Sequence, residues 1–257
     1  MSTQSKLTYA RPPVLEAVIG ITFSQPLIDK ALATADKRLA NHYLVHTDNK
    51  HVDLLMNTTM GIDNRPVVGA QGRTTLGHRR ATPNQDEVAI LMPDSFTVSQ
   101  LAPYTGWDTF FARFQRDFAI INKVSNRSQS ISRVGMRYIN RVDVPAVENI
   151  VEFERFVDIY PRVPDSLGPM VGFNMQAQFA LGSIDGQANI NTMPMQPVTL
   201  RHASFLLDID VYKTFSTPLP DKALYSLLQQ MRLEKNRIFE ACVTQRAREE
   251  LFSDANH

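Results

Sequence analysis

The chain holds a single cysteine, Cys242, among 257 residues. That excludes an intramolecular disulfide framework and a multi-cysteine zinc site, and makes a reducing cytoplasm the expected compartment. It also lacks an excess of either charge, with 27 basic against 26 acidic residues and a formal net charge of +1. No global field draws it to a polyanion or a membrane surface, so such binding needs a local patch. No run approaches the roughly 18 apolar residues of a membrane span. The opening MSTQSKLTYARPP has neither an apolar h-region nor a small-residue cleavage pattern. The expectation is a protein that is neither secreted nor membrane-inserted. G-x-S-x-G, a P-loop, G-x-G-x-x-G and H-E-x-x-H are all missing, so the reading leans away from an enzyme and implies no cofactor and no metal.

What is present is material for a core: 43% of the residues are hydrophobic, enough for one large domain or two ordinary ones. VLEAVIGITF (14 to 23) follows a Pro12-Pro13 stop and suits a buried or half-buried strand. Leu32, Ala35, Leu39 and Tyr43 recur at helical spacing across 29 to 43. Three extended runs follow, at 51 to 58, 73 to 82 and 87 to 101, with Gly61, Gly69, Gly72 and Pro83 as punctuation. From Thr105 the pattern becomes a helix, with Trp107, Phe110, Phe111, Phe114, Phe118 and Ile121 in one core stripe. Thr105 and Asp108 form a T-x-x-D capping signal at its start.

After the polar segment 126 to 130 the pattern restarts. The spacing predicts a strand over 131 to 145, a helix over 147 to 160, and an alternating strand over 171 to 181. A turn at Asp185-Gly186 then leads into 186 to 193 as the second strand of a hairpin. A strand over 202 to 212 and a long helix from about Asp221 close the chain. Leu224, Leu227, Leu228, Met231, Ile238, Phe239 and Cys242 mark the buried stripe of that helix, so Cys242 reads as a small core residue. The expected fold is α+β in two similar halves, residues 1–128 and 129–257. Each is a mainly antiparallel sheet packed by a long helix, and edge-to-edge joining would give one curved sheet without two of the exposed edges.

Arg133, Arg137 and Arg141 stand four residues apart on one strand face, about 13 Å between neighbours. Such a row can grip phosphates or an acidic partner segment, or be neutralised by neighbouring strands. Asp208 and Asp210 share a face of their own strand and are the natural counter-charges. With Glu16, they alternatively form a carboxylate set for a metal or for acid and base work. Arg73, His78, Arg79 and Arg80 make a second basic cluster, read equally as a solvated turn. His42 and His46, with His51 nearby, have the spacing of a histidine metal site.

Several phrases carry a resemblance: YARPPVLEAVIGITF, LAPYTGWDTF, RVGMRYINRVDVP, LLDIDVY and NRIFEACVTQRAREELF. Together they resemble a sporadically distributed family of uncharacterised prokaryotic proteins of about this length, the Arg-Tyr-Ile-Asn-Arg phrase at 137 to 141 being the most specific piece. The resemblance implies a prokaryotic cytosolic protein and transfers no catalytic residue. Its patchy distribution is similar to that of defence-linked genes. The expectation is a non-enzymatic binding protein, a regulatory or antitoxin-like partner in a toxin or phage-defence module, with a protein partner. The alternatives are a nucleic-acid or nucleotide binder using Arg133, Arg137, Arg141, Arg79 and Arg80, and a metal-dependent hydrolase using Glu16, Asp208 and Asp210.

Overall fold

The computed structural model describes residues 9–60, 66–125, 130–146, 152–168, 170, 172–217, 219 and 221–253. Within these, 50–60, 66–75, 165, 221 and 222 are described by backbone alone. The elements run β1 (Val14–Phe23), α1 (Asp29–Leu39), β2 (Val45–Met60), β3 (Pro66–Ala81), β4 (Glu87–Leu91), β5 (Ser95–Leu101) and α2 (Trp107–Val124). They continue β6 (Ile131–Pro145), β7 (Met175–Leu181), β8 (Gly186–Met195), β9 (His202–Thr214), α3 (Asp221–Cys242) and the short α4 (Gln245–Ala247).

Among the described residues all nine strands belong to one sheet, in the order β2-β3-β4-β5-β1-β6-β9-β8-β7, and every pairing is antiparallel. The fold is α+β. Register explains how one face became the core. Ile19 lies opposite Val98 and Met136, Met136 opposite Val211, and Val211 opposite Ala188. All five are fully buried. The period of two therefore sends their neighbours Val18, Arg137, Asp210 and Asn189 to the other face.

The helices cover the apolar face. Phe110, Phe114, Phe118 and Ile121 of α2, Ala35 and Leu39 of α1, and Leu224, Leu228 and Met231 of α3 join the strand residues in one buried cluster. Each large side chain in it contributes roughly 1.5–3 kcal/mol through loss of contact with water.

Local expectations fail where tertiary contacts outweigh propensity. The described part of the expected 147–160 helix is a single 3-10 turn at Phe153–Arg155, followed by a bridge from Val157 to Val243. Phe153 there packs on Phe205 at a centroid distance of 4.4 Å, so sheet packing and not helical periodicity places its apolar residues. The capping signal before α2 is also corrected. Gly106 is the N-cap, without a side-chain cap bond, and Thr105 instead donates to Gln100 Oε1 at 3.1 Å. The run over 87–101 divides into β4 and β5, and the strand expected from 171 begins at Met175. Residues 126–129, where the boundary between halves was expected, lie outside the described residues.

β2 and β3 pair from Val45–Ala81 out to Met60–Pro66, but only His78–Ala81 of β3 reach β4. Gly77 stands where that contact begins. A Cβ there would collide with Met92 Sδ and stand 2.5 Å from the Leu91 carbonyl oxygen, so only glycine lets the strands close.

Candidate functional site

The arginine row lies on the sheet face opposite the helices. Arg137 donates through Nε and Nη2 to the two carboxylate oxygens of Asp208, at 2.8 and 2.7 Å. Register puts Asp210 directly opposite Arg137, yet the long guanidinium reaches diagonally to Asp208. Arg133 takes Asp210 at 3.3 Å and lies 4.7 Å over the Tyr212 ring. Gly135 opens that space, since a Cβ there would stand 2.9 Å from the Arg133 guanidinium. Arg141 meets neither aspartate. It donates to Asp143 Oδ1 at 2.8 Å and to Ser204 Oγ at 3.0 Å. Burial raises the Asp210 carboxyl above its ordinary range, against the pull of Arg133 and Arg137.

Glu16 does not join the two aspartates. Ile139 pairs with both Glu16 and Asp208, which sets them two strand spacings apart, about 10 Å. Asp208 is buried and its further partner is Asn191, whose Nδ2 donates at 3.2 Å. Arg137→Ala leaves that carboxylate with one weak donor. Because Arg137 is half-exposed and water can partly replace it, the expected loss is about 2–3 kcal/mol, read from urea denaturation. Arg133→Ala, with its longer bond, should cost about 0.5–1 kcal/mol.

Of the first-half basic cluster, Arg80 holds Asp36 of α1 by two bonds of 2.7 and 2.6 Å, and Arg79 donates to Gln85 at 2.9 Å. The side chains of Arg73 and His51 lie outside the description. His42 is exposed in the turn after α1, and His46, second in β2, is a diagonal neighbour of His78 of β3.

On the helix side of the sheet, a cavity of about 660 Å³ opens between α3, the segment entering β1 and the loop before α2. Its size suits a small organic ligand. Tyr9, Tyr104, Trp107, Tyr138 and Phe239 supply aromatic wall, and Asn140, Arg232, Lys235, Arg237 and Glu240 the polar groups. Arg232, Lys235, Asn236 and Phe239 share one face of α3 by their three- and four-residue spacing.

Two of the charged groups are engaged within the protein. Glu240 accepts from Tyr9 Oη at 2.7 Å and Arg248 Nε at 2.6 Å, and Arg237 pairs with Glu234 at 2.8 Å. Arg232 and Lys235 differ. Among the described residues neither makes a hydrogen bond or ion pair. Arg232 sits 5.3 Å over the Trp107 ring, and Lys235 Nζ 3.9 Å over the Tyr138 ring. Tyr138 and Tyr104 share a hydroxyl hydrogen bond of 2.9 Å. Burial, with Arg232 adding to it and against the pull of Glu240, pushes the Lys235 ammonium down to about 7.

Neither cation was singled out from the sequence, although a signal was there. Leu224, Leu228, Met231, Lys235, Ile238 and Cys242 step by four, three, four, three and four, so Lys235 occupies a core position of an otherwise apolar stripe. A charge at such a position is buried against its solvation preference, which marks a functional candidate.

No protein-family model and no curated protein matches this chain. Among the described residues no helix is long and apolar enough to cross a membrane.

Proposed function

We propose that this chain is a non-enzymatic binding protein whose cavity takes a small organic anion carrying a flat ring, the chemistry of a nucleoside monophosphate. The observation that carries this reading is the pair of cations, Arg232 and Lys235, which make no hydrogen bond or ion pair with a carboxylate among the described residues and are set among aromatic faces. An anion supplies the missing counter-charge, and a planar ring finds Trp107 and the tyrosines to stack on. The wall also draws on four of the five phrases that carry the family resemblance: Tyr9 to Val14, Tyr104 to Trp107, Tyr138 with Asn140, and Asn236 to Glu240.

Calorimetric titration with nucleoside monophosphates, the matching neutral nucleosides and inorganic phosphate tests it. The monophosphate should bind tightest, and proton uptake by Lys235 should make the heat at pH 8 depend on the buffer. Arg232→Gln and Lys235→Met should each weaken binding at least tenfold, about 1.4 kcal/mol. Absence of binding by every probe, or equal affinity in parent and both variants, overturns the reading.

The role as a regulatory or antitoxin-like partner in a prokaryotic defence module rests on the resemblance, and co-purification with a neighbouring gene's product tests it. The strand order supports two similar halves, 1–128 and 129–257. β1 and β6 lie side by side at the centre, and each is flanked outward by a meander from its own half.

A further inference from the structure

At the root of the β2–β3 hairpin, on the helix side of the sheet, three side chains from three elements converge. His46 comes from β2, His78 from β3 and Asp36 from the last turns of α1. One nitrogen of each imidazole and a carboxylate oxygen of Asp36 all lie within 4.8 Å of one another. His46 Nε2 and His78 Nδ1 stand 3.3 Å apart. We propose that Asp36, His46 and His78 form a binding site for a divalent transition metal of the zinc class, separate from the cavity and independent of the ligand that fills it.

The geometry carries the assignment. Two nitrogens bound to one tetrahedral ion at ~2.0–2.1 Å are separated by about 3.3–3.4 Å, the spacing these imidazoles already have. Register explains the approach. Asp48 lies opposite His78 and His46 opposite Arg80, so the two histidines are diagonal neighbours on one face of the ribbon. Two imidazoles and a carboxylate form a borderline donor set that suits zinc, cobalt or nickel over calcium or magnesium.

The third ligand is held from behind. Arg80 donates to both oxygens of Asp36, and each oxygen keeps a second lone pair for a metal. A hydrogen-bonded carboxylate of this kind is the usual support for a metal ligand. Asp36 is buried and His46 exposed, so the site opens to solvent on one side and has room for a water as fourth ligand. Asp48 Oδ1, 4.0 Å from His46 Nε2, adds negative charge nearby. The bound ion would tie α1 to the base of a hairpin that extends beyond β4 as two strands alone.

Titration of the untagged full-length chain with zinc chloride, and with cobalt chloride followed by visible absorption, tests the site. One equivalent of zinc per chain and the intense d–d absorption of four-coordinate cobalt are expected. His46→Ala and His78→Gln should each weaken zinc binding about 100-fold or more, while His42→Ala should leave it unchanged. His46 is exposed, so His46→Ala keeps the fold and isolates the ligand effect. Failure to bind either ion, or retention of parental affinity in both His46→Ala and His78→Gln, overturns the proposal and leaves the two rings as a hydrogen-bonded pair.

Discussion

Asp117→Ala is expected to lower the stability of this protein by about 3–5 kcal/mol, a large part of the ~5–15 kcal/mol that holds a domain of ordinary stability. Asp117 is fully buried on α2, beside the phenylalanine stripe. It accepts from Tyr43 Oη at 2.5 Å and from Arg116 Nε at 2.8 Å. The buried Arg113 donates in turn to Tyr43 Oη at 3.0 Å and to the Ser99 carbonyl oxygen at 2.8 Å. Burial, and then the charge of Asp117, raises the Tyr43 hydroxyl well above its ordinary value, so it remains a donor.

Removing the carboxylate orphans that donor and breaks the ion pair with Arg116, in a network whose Arg113 is already short of partners. Arg113 Nε is the one buried side-chain nitrogen or oxygen without a hydrogen-bond partner among the described residues. Glu87, 3.7 Å from Arg113 Nε, pairs with that guanidinium at a distance beyond a hydrogen bond. Asp117→Asn should cost less, because it keeps an acceptor for Tyr43 and loses only the charge. Urea midpoints at an unchanged denaturant slope give the measurement. A loss below about 1 kcal/mol for Asp117→Ala would show that water already reaches the network.

Lys235→Met should act in the opposite direction and raise stability by ~1–3 kcal/mol at neutral pH. The sign follows from linkage. The folded chain holds the Lys235 ammonium near 7, against 10.5 as its ordinary value. Between about pH 7 and 10.5 the unfolded chain keeps a proton that the folded chain has released, so the parent gains stability as pH rises through that window. The penalty is fully present below about pH 7 and absent above 10.5. Its size is moderated because Lys235 is only partly buried and the Tyr138 ring face favours the ammonium.

Methionine fills similar volume without the charge, so both the penalty and the slope should disappear. Melts of parent and variant from pH 6 to 10 should therefore converge as pH rises. A variant less stable than the parent at pH 6.5 would mean that the ammonium is well solvated. Greater stability together with lost ligand binding is the pattern of a residue kept for function at a cost to the fold.

Much of the fold was legible because burial imposes period. The α2 stripe read as a helix at 3.6 residues, and the β-branched and apolar residues of 14 to 23 read as a strand, of which Ala17, Ile19 and Ile21 form the buried side. Where apolar residues are placed by distant partners, period misleads, and Phe153 on Phe205 is the example. Less of the candidate sites could be read. Arg113 and Asp117 look like solvated helix charges until α2 is seen against Tyr43. His46 and His78 are 32 residues apart, and their meeting depends on hairpin register. Lys235 left a trace, as the one charge in an apolar heptad, because the helix that buries it is local.

The cysteine count, the charge balance, the α+β pattern and the shared faces of the arginine and aspartate rows were determined by the residues themselves. Each follows from composition or from periods of two and 3.6. Which arginine takes which aspartate, which histidines meet, and which cations make no ion pair among the described residues were decided by tertiary structure. Those outcomes depend on strand register and helix docking, which bring together residues far apart in the sequence. The single cysteine spans both levels. Its solitude excluded a disulfide and its place in the α3 stripe read as core, while the docking of α3 supplied the surroundings whose burial raises the thiol to about 12.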